Sequence, residues 1–190
     1  MDNSIVVYLA GKIRKNGWRN TIVPGLRNHW CEAQDVTEAN QYEKTIFDHV
    51  YTSGPFFISC DHGCYHGDNI HGVGANGRGC GESVPGNIVP AICMNQIERC
   101  NFVFAYINSR TCYGTLCEIG YAFAKRRPVA VMFSDPSLRK DMWFVAEIAN
   151  MEFDAFGAVV KSETSNVLVA MTATKIAGAL GKPDKNEEVV

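Results

Sequence analysis

The feature that most constrains this chain is a series of short apolar runs, rich in β-branched and aromatic residues, separated by segments of helical spacing. The runs are SIVVYLAG (4–11), GPFFISCD (54–61), NFVFAYI (101–107), PVAVMF (128–133) and FGAVV (156–160). None shows the apolar–polar alternation of a half-exposed strand, so each reads as a strand buried on both faces. Between them, NIVPAICMNQIERC (87–100) places Ile88, Ile92 and Ile97 near one helical face. Further helices are expected over 115–126, over 141–150 and over SNVLVAMTATKIAGAL (165–180), the last stopped by Gly181 and Pro183. WRNTIVPGLRNHW (18–30) predicts a helix interrupted near Pro24. The polar stretch 32–51 has no assignable pattern.

Apolar strands alternating with helices specify an α/β fold: a doubly wound, mostly parallel sheet with helices on both faces. At 190 residues the chain reads as a single domain over 1–180, followed by a mobile tail over 181–190. Ligands of such sheets bind at the carboxyl ends of the strands, which directs attention to the loops after Leu9, Cys60 and Ile107. A formal charge of −2 with no basic stripe argues against a nucleic-acid polymer as partner. No apolar run reaches the length of a membrane span, and MDNSIVVYLAG reads as a strand rather than a signal peptide, so a cytoplasmic protein is expected. Eight scattered cysteines in a chain with a full-sized core read as free thiols.

One acid stands out. In CYGTLCEIGYAFAKRRPVAVMF (112–133), Glu118 falls at the start of a helix, on the face directed at the sheet. TLCE (115–118) matches a capping box, with Thr115 as cap and Glu118 reaching back to it. The same position faces the expected crevice, where a carboxylate can attack an electrophilic carbon. Gly114 would let a ligand approach the backbone, and Gly120 and Ala122 would let the helix pack closely on the sheet.

VVYLAGKI, the pair Trp18–Arg19 and CNFVFAYINSRTCYGTLCEIGYAFAKRRPV together resemble the nucleoside 2-deoxyribosyltransferase family, which includes related nucleoside and nucleotide N-glycoside hydrolases. The resemblance spans most of residues 4–133, and YGTLCEIGYA is its most specific part. It implies a flavodoxin-like fold and assembly as a dimer or larger homo-oligomer. It implies no cofactor and no metal. Its partners would be a nucleoside or nucleotide substrate and a free nucleobase. The family's nucleophile falls on Glu118 and its orienting tyrosine on Tyr8. The implied reaction is transfer of deoxyribose between bases through a glycosyl–Glu118 ester. Hydrolysis of a nucleoside or its 5′-monophosphate is the alternative, and a non-catalytic nucleotide-binding module the second.

The chain departs from the family pattern at three acids. The base-handling acid falls near Cys93, the acid for the sugar 5′-hydroxyl on Cys112 (a serine in the monophosphate hydrolases), and the strand-opening aspartate on Asn101. Asp61, with His62 beside it, ends the FFISC run and is read as a substitute base-handling acid, or equally as a turn cap. Gly11, Arg19, Asn108, Ser109 and Arg110 are candidates for the sugar or phosphate edge. Trp18, Phe56 and Tyr65 are candidates for stacking on the base, although such aromatics more often serve the core. The loop after Asp61 concentrates Cys60, His62, Cys64, His66, His71 and Cys80, but without a C-x-x-C pair or standard zinc spacing, so no metal is assigned. GVGANG (72–77) lacks the strand and helix of a dinucleotide fingerprint and reads as a lid or substrate loop.

Overall fold

A computed structural model describes residues 4–12, 17–24, 26, 42–55 and 89–181. The elements in chain order are β1 (Ile5–Gly11), α1 (Arg19–Ile22), β2 (Glu43–Lys44), β3 (Val50–Ser53), α2 (Val89–Arg99), β4 (Phe102–Ile107), α3 (Tyr113–Ala124), β5 (Val129–Phe133), α4 (Pro136–Asp141), α5 (Trp143–Ile148), β6 (Met151–Phe153), β7 (Val159–Ser162) and α6 (Val167–Leu180). The strands form one seven-stranded sheet in the order β2-β3-β1-β4-β5-β6-β7. The five inner strands are parallel, and the short edge strands β2 and β7 are antiparallel. This is the expected doubly wound, flavodoxin-like α/β fold.

Alternate residues of the central strands serve two cores. Tyr8, Ala10, Val103, Ala105 and Val131 pack against Ile92, Cys93 and Ile97 of α2 and Ile119 and Ala122 of α3. Val7, Leu9, Phe104 and Met132 pack against Ile22 of α1 and Ala173 and Ile176 of α6. Strands buried on both sides have no use for polar residues, which is why β1, β4 and β5 are apolar throughout. Asn101 joins two of them at their amino ends: its Oδ1 accepts from Val6 N at 2.7 Å, while its own N donates to Val6 O at 2.8 Å.

Several elements fall elsewhere than expected. β3, over Val50–Ser53, falls at the end of the stretch with no assignable pattern; Gly54 and Pro55 follow it, and the rest of the strand read at 54–61 lies outside the described residues. Thr52 and Ser53 are polar yet wholly buried, so the strand lacks an apolar signature. The helix expected at 141–150 is α5, and a second short helix, α4, precedes it. Asp135 opens α4, its Oδ1 accepting from Ser137 N at 2.6 Å with Pro136 following, a start signal passed over in the sequence. The strand read at 156–160 resolves into β6 and β7 around a turn in which Asp154 Oδ1 accepts from Phe156 N and Ala158 N. Gly157 (φ 78°) makes that turn, and a Cβ there would stand 2.3 Å from Ala177 O of α6. The helix expected near Pro24 is the single turn of α1. Asn166 caps α6, which ends at Gly181 as expected; the tail beyond lies outside the described residues. Cys93, Cys100, Cys112 and Cys117 are free thiols. Among the described residues no helix is long and apolar enough to cross a membrane.

Candidate active site

Tyr8 lies in the middle of β1, level with Ser53 of β3 and Val103 of β4. Its side chain is fully buried on the face covered by α2 and α3. Above it, α3 follows β4 and returns across the sheet. The helix starts at Tyr113 behind Cys112 and not at Thr115, so Glu118 sits in the second turn. The capping-box reading is therefore incorrect: Thr115 is a buried residue inside the helix, and no side chain caps α3. Released from that role, Glu118 turns to the sheet, where its Oε1 accepts a hydrogen bond of 2.5 Å from Tyr8 Oη.

This carboxyl is 8% exposed and forms no salt bridge among the described residues. Burial raises its pKa to about 7, against the Tyr8 hydrogen bond and the charge of Arg19, which both favour the ionised form. Burial also holds the Tyr8 phenol well above its ordinary range, reinforced by Cys93 and Glu118. Cys93, from α2, lies in the same buried cluster as Tyr8, and burial, with the charge of Glu118, pushes its thiol up to about 12. Cys93 stands near where the resemblance put a base-handling acid, and the sequence shows only that a carboxylate is missing there, not that the thiol packs with Tyr8.

The other candidates divide. Arg19 is buried, but its donors are committed: Nε and Nη2 to Leu9 O, Nη2 to Gly11 O at 2.8 Å and Nη1 to Lys12 O. Burial lowers its pKa to about 10, although Glu118 raises it. It fixes the end of β1 and lends Glu118 a charge at a distance. Gly11, at φ 152°, ends β1 where a Cβ would lie 2.9 Å from Tyr106 O and 3.0 Å from the Trp18 ring. Trp18 stacks on Tyr106 and Phe104, the face of the sheet away from Glu118. Its position there serves packing.

Arg110 pairs with Asp141 at 2.6 Å and donates to Ser137 Oγ at 3.0 Å, which ties the loop after β4 to α4. Ser109 Oγ lies 3.1 Å from Thr111 Oγ1. Asn108 Oδ1 and Ser53 Oγ are buried without hydrogen-bond partners, Ser53 on the same face as Tyr8. Ser53 was missed because no strand was expected over 50–53. Gly114 is exposed in the first turn of α3, and neither it nor Gly120 would clash with a neighbour if it carried a Cβ, so the close packing expected of Gly120 belongs to Ala122 alone. Asp61 and His62, the aromatics Phe56 and Tyr65, and the Cys/His cluster over 60–80 lie outside the described residues. Among the described residues no group of three His, Cys, Asp or Glu side chains is placed to hold a metal. No protein-family model, curated protein or solved structure matches this chain.

Proposed function

We propose that this protein cleaves the N-glycosidic bond of a deoxynucleoside and transfers the sugar to a second nucleobase, with Glu118 as nucleophile. The observation that supports this reading most is the 2.5 Å contact between Tyr8 Oη and Glu118 Oε1. It holds a buried carboxylate in one orientation without neutralising it. As the bond from C1′ to the base lengthens, positive charge grows on the anomeric carbon. An adjacent carboxylate stabilises that charge and then bonds to it. The electron pair of the broken bond leaves with the base, which takes up a proton. A second base then attacks C1′, loses a proton and displaces Glu118.

Arg19 and Arg110 favour an unphosphorylated substrate. The donors of the first are occupied by Leu9, Gly11 and Lys12, and the second is paired with Asp141. Neither is free to receive a 5′-phosphate.

Incubation with a 2′-fluoro-2′-deoxynucleoside tests the nucleophile, because fluorine slows loss of the glycosyl ester. A fluorosugar mass on the peptide bearing Glu118 is expected, and an unmodified Glu118 after base release would overturn the reading. Turnover of a deoxynucleoside with and without an acceptor base separates transfer from hydrolysis. A new nucleoside supports transfer, whereas free sugar alone assigns a hydrolase.

A further inference from the structure

The ends of α3 and β5 remote from the Tyr8–Glu118 contact border a groove of about 440 Å³, lined by Phe123, Ala124, Arg126, Arg127, Pro128 and Asn150. That volume is within the range of small-molecule sites. The helix closes with Arg126 N donating to Phe123 O at 3.0 Å and Arg127 N donating to Ala122 O at 2.9 Å, the double bond of a Schellman motif. The residue between must adopt the left-handed conformation, and glycine is its usual occupant. Here it is Arg126, at φ 56°. An arginine in that conformation is strained, and this one lines the groove.

The electrostatics leave that charge unanswered. Glu98, the acid at this end of α2, holds Lys125 Nζ at 2.6 Å and Tyr121 Oη at 2.5 Å. Arg127 is fixed by donating from Nη2 to the main-chain oxygen of Glu98. The guanidinium of Arg126 has no hydrogen bond or ion pair among the described residues. The unpaired guanidinium of Arg126, with Arg127 held at one nitrogen beside it and Phe123 and Pro128 flanking, suits a ligand with an oxyanion head and an apolar body.

We infer that this groove binds a small aromatic or aliphatic oxyanion between Arg126 and Arg127, at a second site separate from Glu118. Phenyl phosphate and benzoate, titrated into the full-length protein at matched ionic strength, test the inference and distinguish the head groups. At least one is expected to bind saturably at a single site, and the tighter one assigns the head group. Arg126→Gly should weaken that ligand at least tenfold. Because glycine relieves the backbone strain, the unliganded variant should melt no lower than the parent, by about 2–4 °C higher if about 1 kcal/mol is recovered, so lost binding cannot be unfolding. Arg126→Lys keeps the charge but not the fork, and its affinity should fall between the two. Absence of saturable binding by both compounds overturns the inference. So does binding that Arg126→Gly leaves within about twofold, which would place the anion elsewhere.

Discussion

Two buried glutamates in this molecule have opposite fates. Glu152 of β6, 2% exposed, meets Arg139 through a fork, Nε to Oε1 at 2.5 Å and Nη2 to Oε2 at 3.3 Å. Glu118, 8% exposed, meets a phenol. The first carboxylate has its charge matched and both oxygens engaged. It ties α4 to β6 and has nothing left to offer a ligand. The second is oriented through one oxygen, and its charge is opposed only by an arginine whose donors are engaged elsewhere. Burial alone therefore does not mark a reactive acid. The partner does: an arginine consumes a carboxylate, whereas a phenol aims it.

The sharpest way to break this contrast is to remove each acid's function. Glu118→Gln keeps the shape and should lower glycosyl transfer by on the order of 10⁴-fold or more, the scale of losing a covalent nucleophile. Its circular dichroism and melting should show a folded protein. Residual turnover within tenfold of the parent would remove Glu118 from the chemistry.

Acidity gives the next largest effect. The Glu118 carboxyl ionises near 4.5 in the unfolded chain and at about 7 in the folded protein. Between those values the folded state holds a proton that the unfolded state has released. Stability is thus greatest below pH 4.5 as far as this group is concerned, and declines as pH rises to about 7. The loss is on the order of 2–3 kcal/mol over the interval. On the proposed reaction, activity should move the opposite way, because only an ionised carboxylate can attack. kcat/KM should rise with a midpoint near 7. Urea unfolding across pH 5–8 should show the decline in the parent and not in Glu118→Gln. A decline that persists unchanged in the variant would assign it to another group.

Arg139→Ala should be milder and purely structural. It strands the buried Glu152 carboxylate, but Arg139 is itself half in water, so the cost should be about 2 kcal/mol, short of the 3–5 of a fully buried pair. Activity per folded molecule should not change. A variant as stable as the parent would show that the fork contributes nothing.

The same contrast explains what could be read in advance. β1, β4 and β5 were legible because their two-sided burial leaves no polar position. β3 was not, since Thr52 and Ser53 are polar and buried, and β6 was not, since three residues containing a glutamate look like a loop until Arg139 is seen to pair with it. Glu118 stood out from its apolar neighbours, but TLCE (115–118) misplaced the helix start by two residues and gave the acid a capping duty it does not have. The contact of Tyr8 with Glu118 spans 110 residues, and only the family resemblance linked the two; Cys93 as third member emerged from packing alone. Arg19 and Arg110 were flagged for charge, whereas what decides their use is that their donors are already taken.

The smallest effects test how the phenol aims the acid. Tyr8→Phe removes one hydroxyl from a packed site and should slow glycosyl transfer by about 10- to 100-fold, below the loss of the nucleophile itself. Because the Tyr8 hydrogen bond favours the ionised carboxylate, its removal should also move the rising limb of the pH–rate profile above the parent's. That shift separates aiming from packing: a cavity or a loosened core lowers the rate at every pH without displacing the midpoint. Cys93→Ala trims a small buried side chain from the cluster that holds Tyr8 and should cost only several-fold in rate, since it leaves the contact of Tyr8 with Glu118 in place. If the thiol acts on Glu118 only through the phenol packed beside it, the double variant should be no slower than Tyr8→Phe alone. Additive losses would mean that Cys93 reaches the substrate itself.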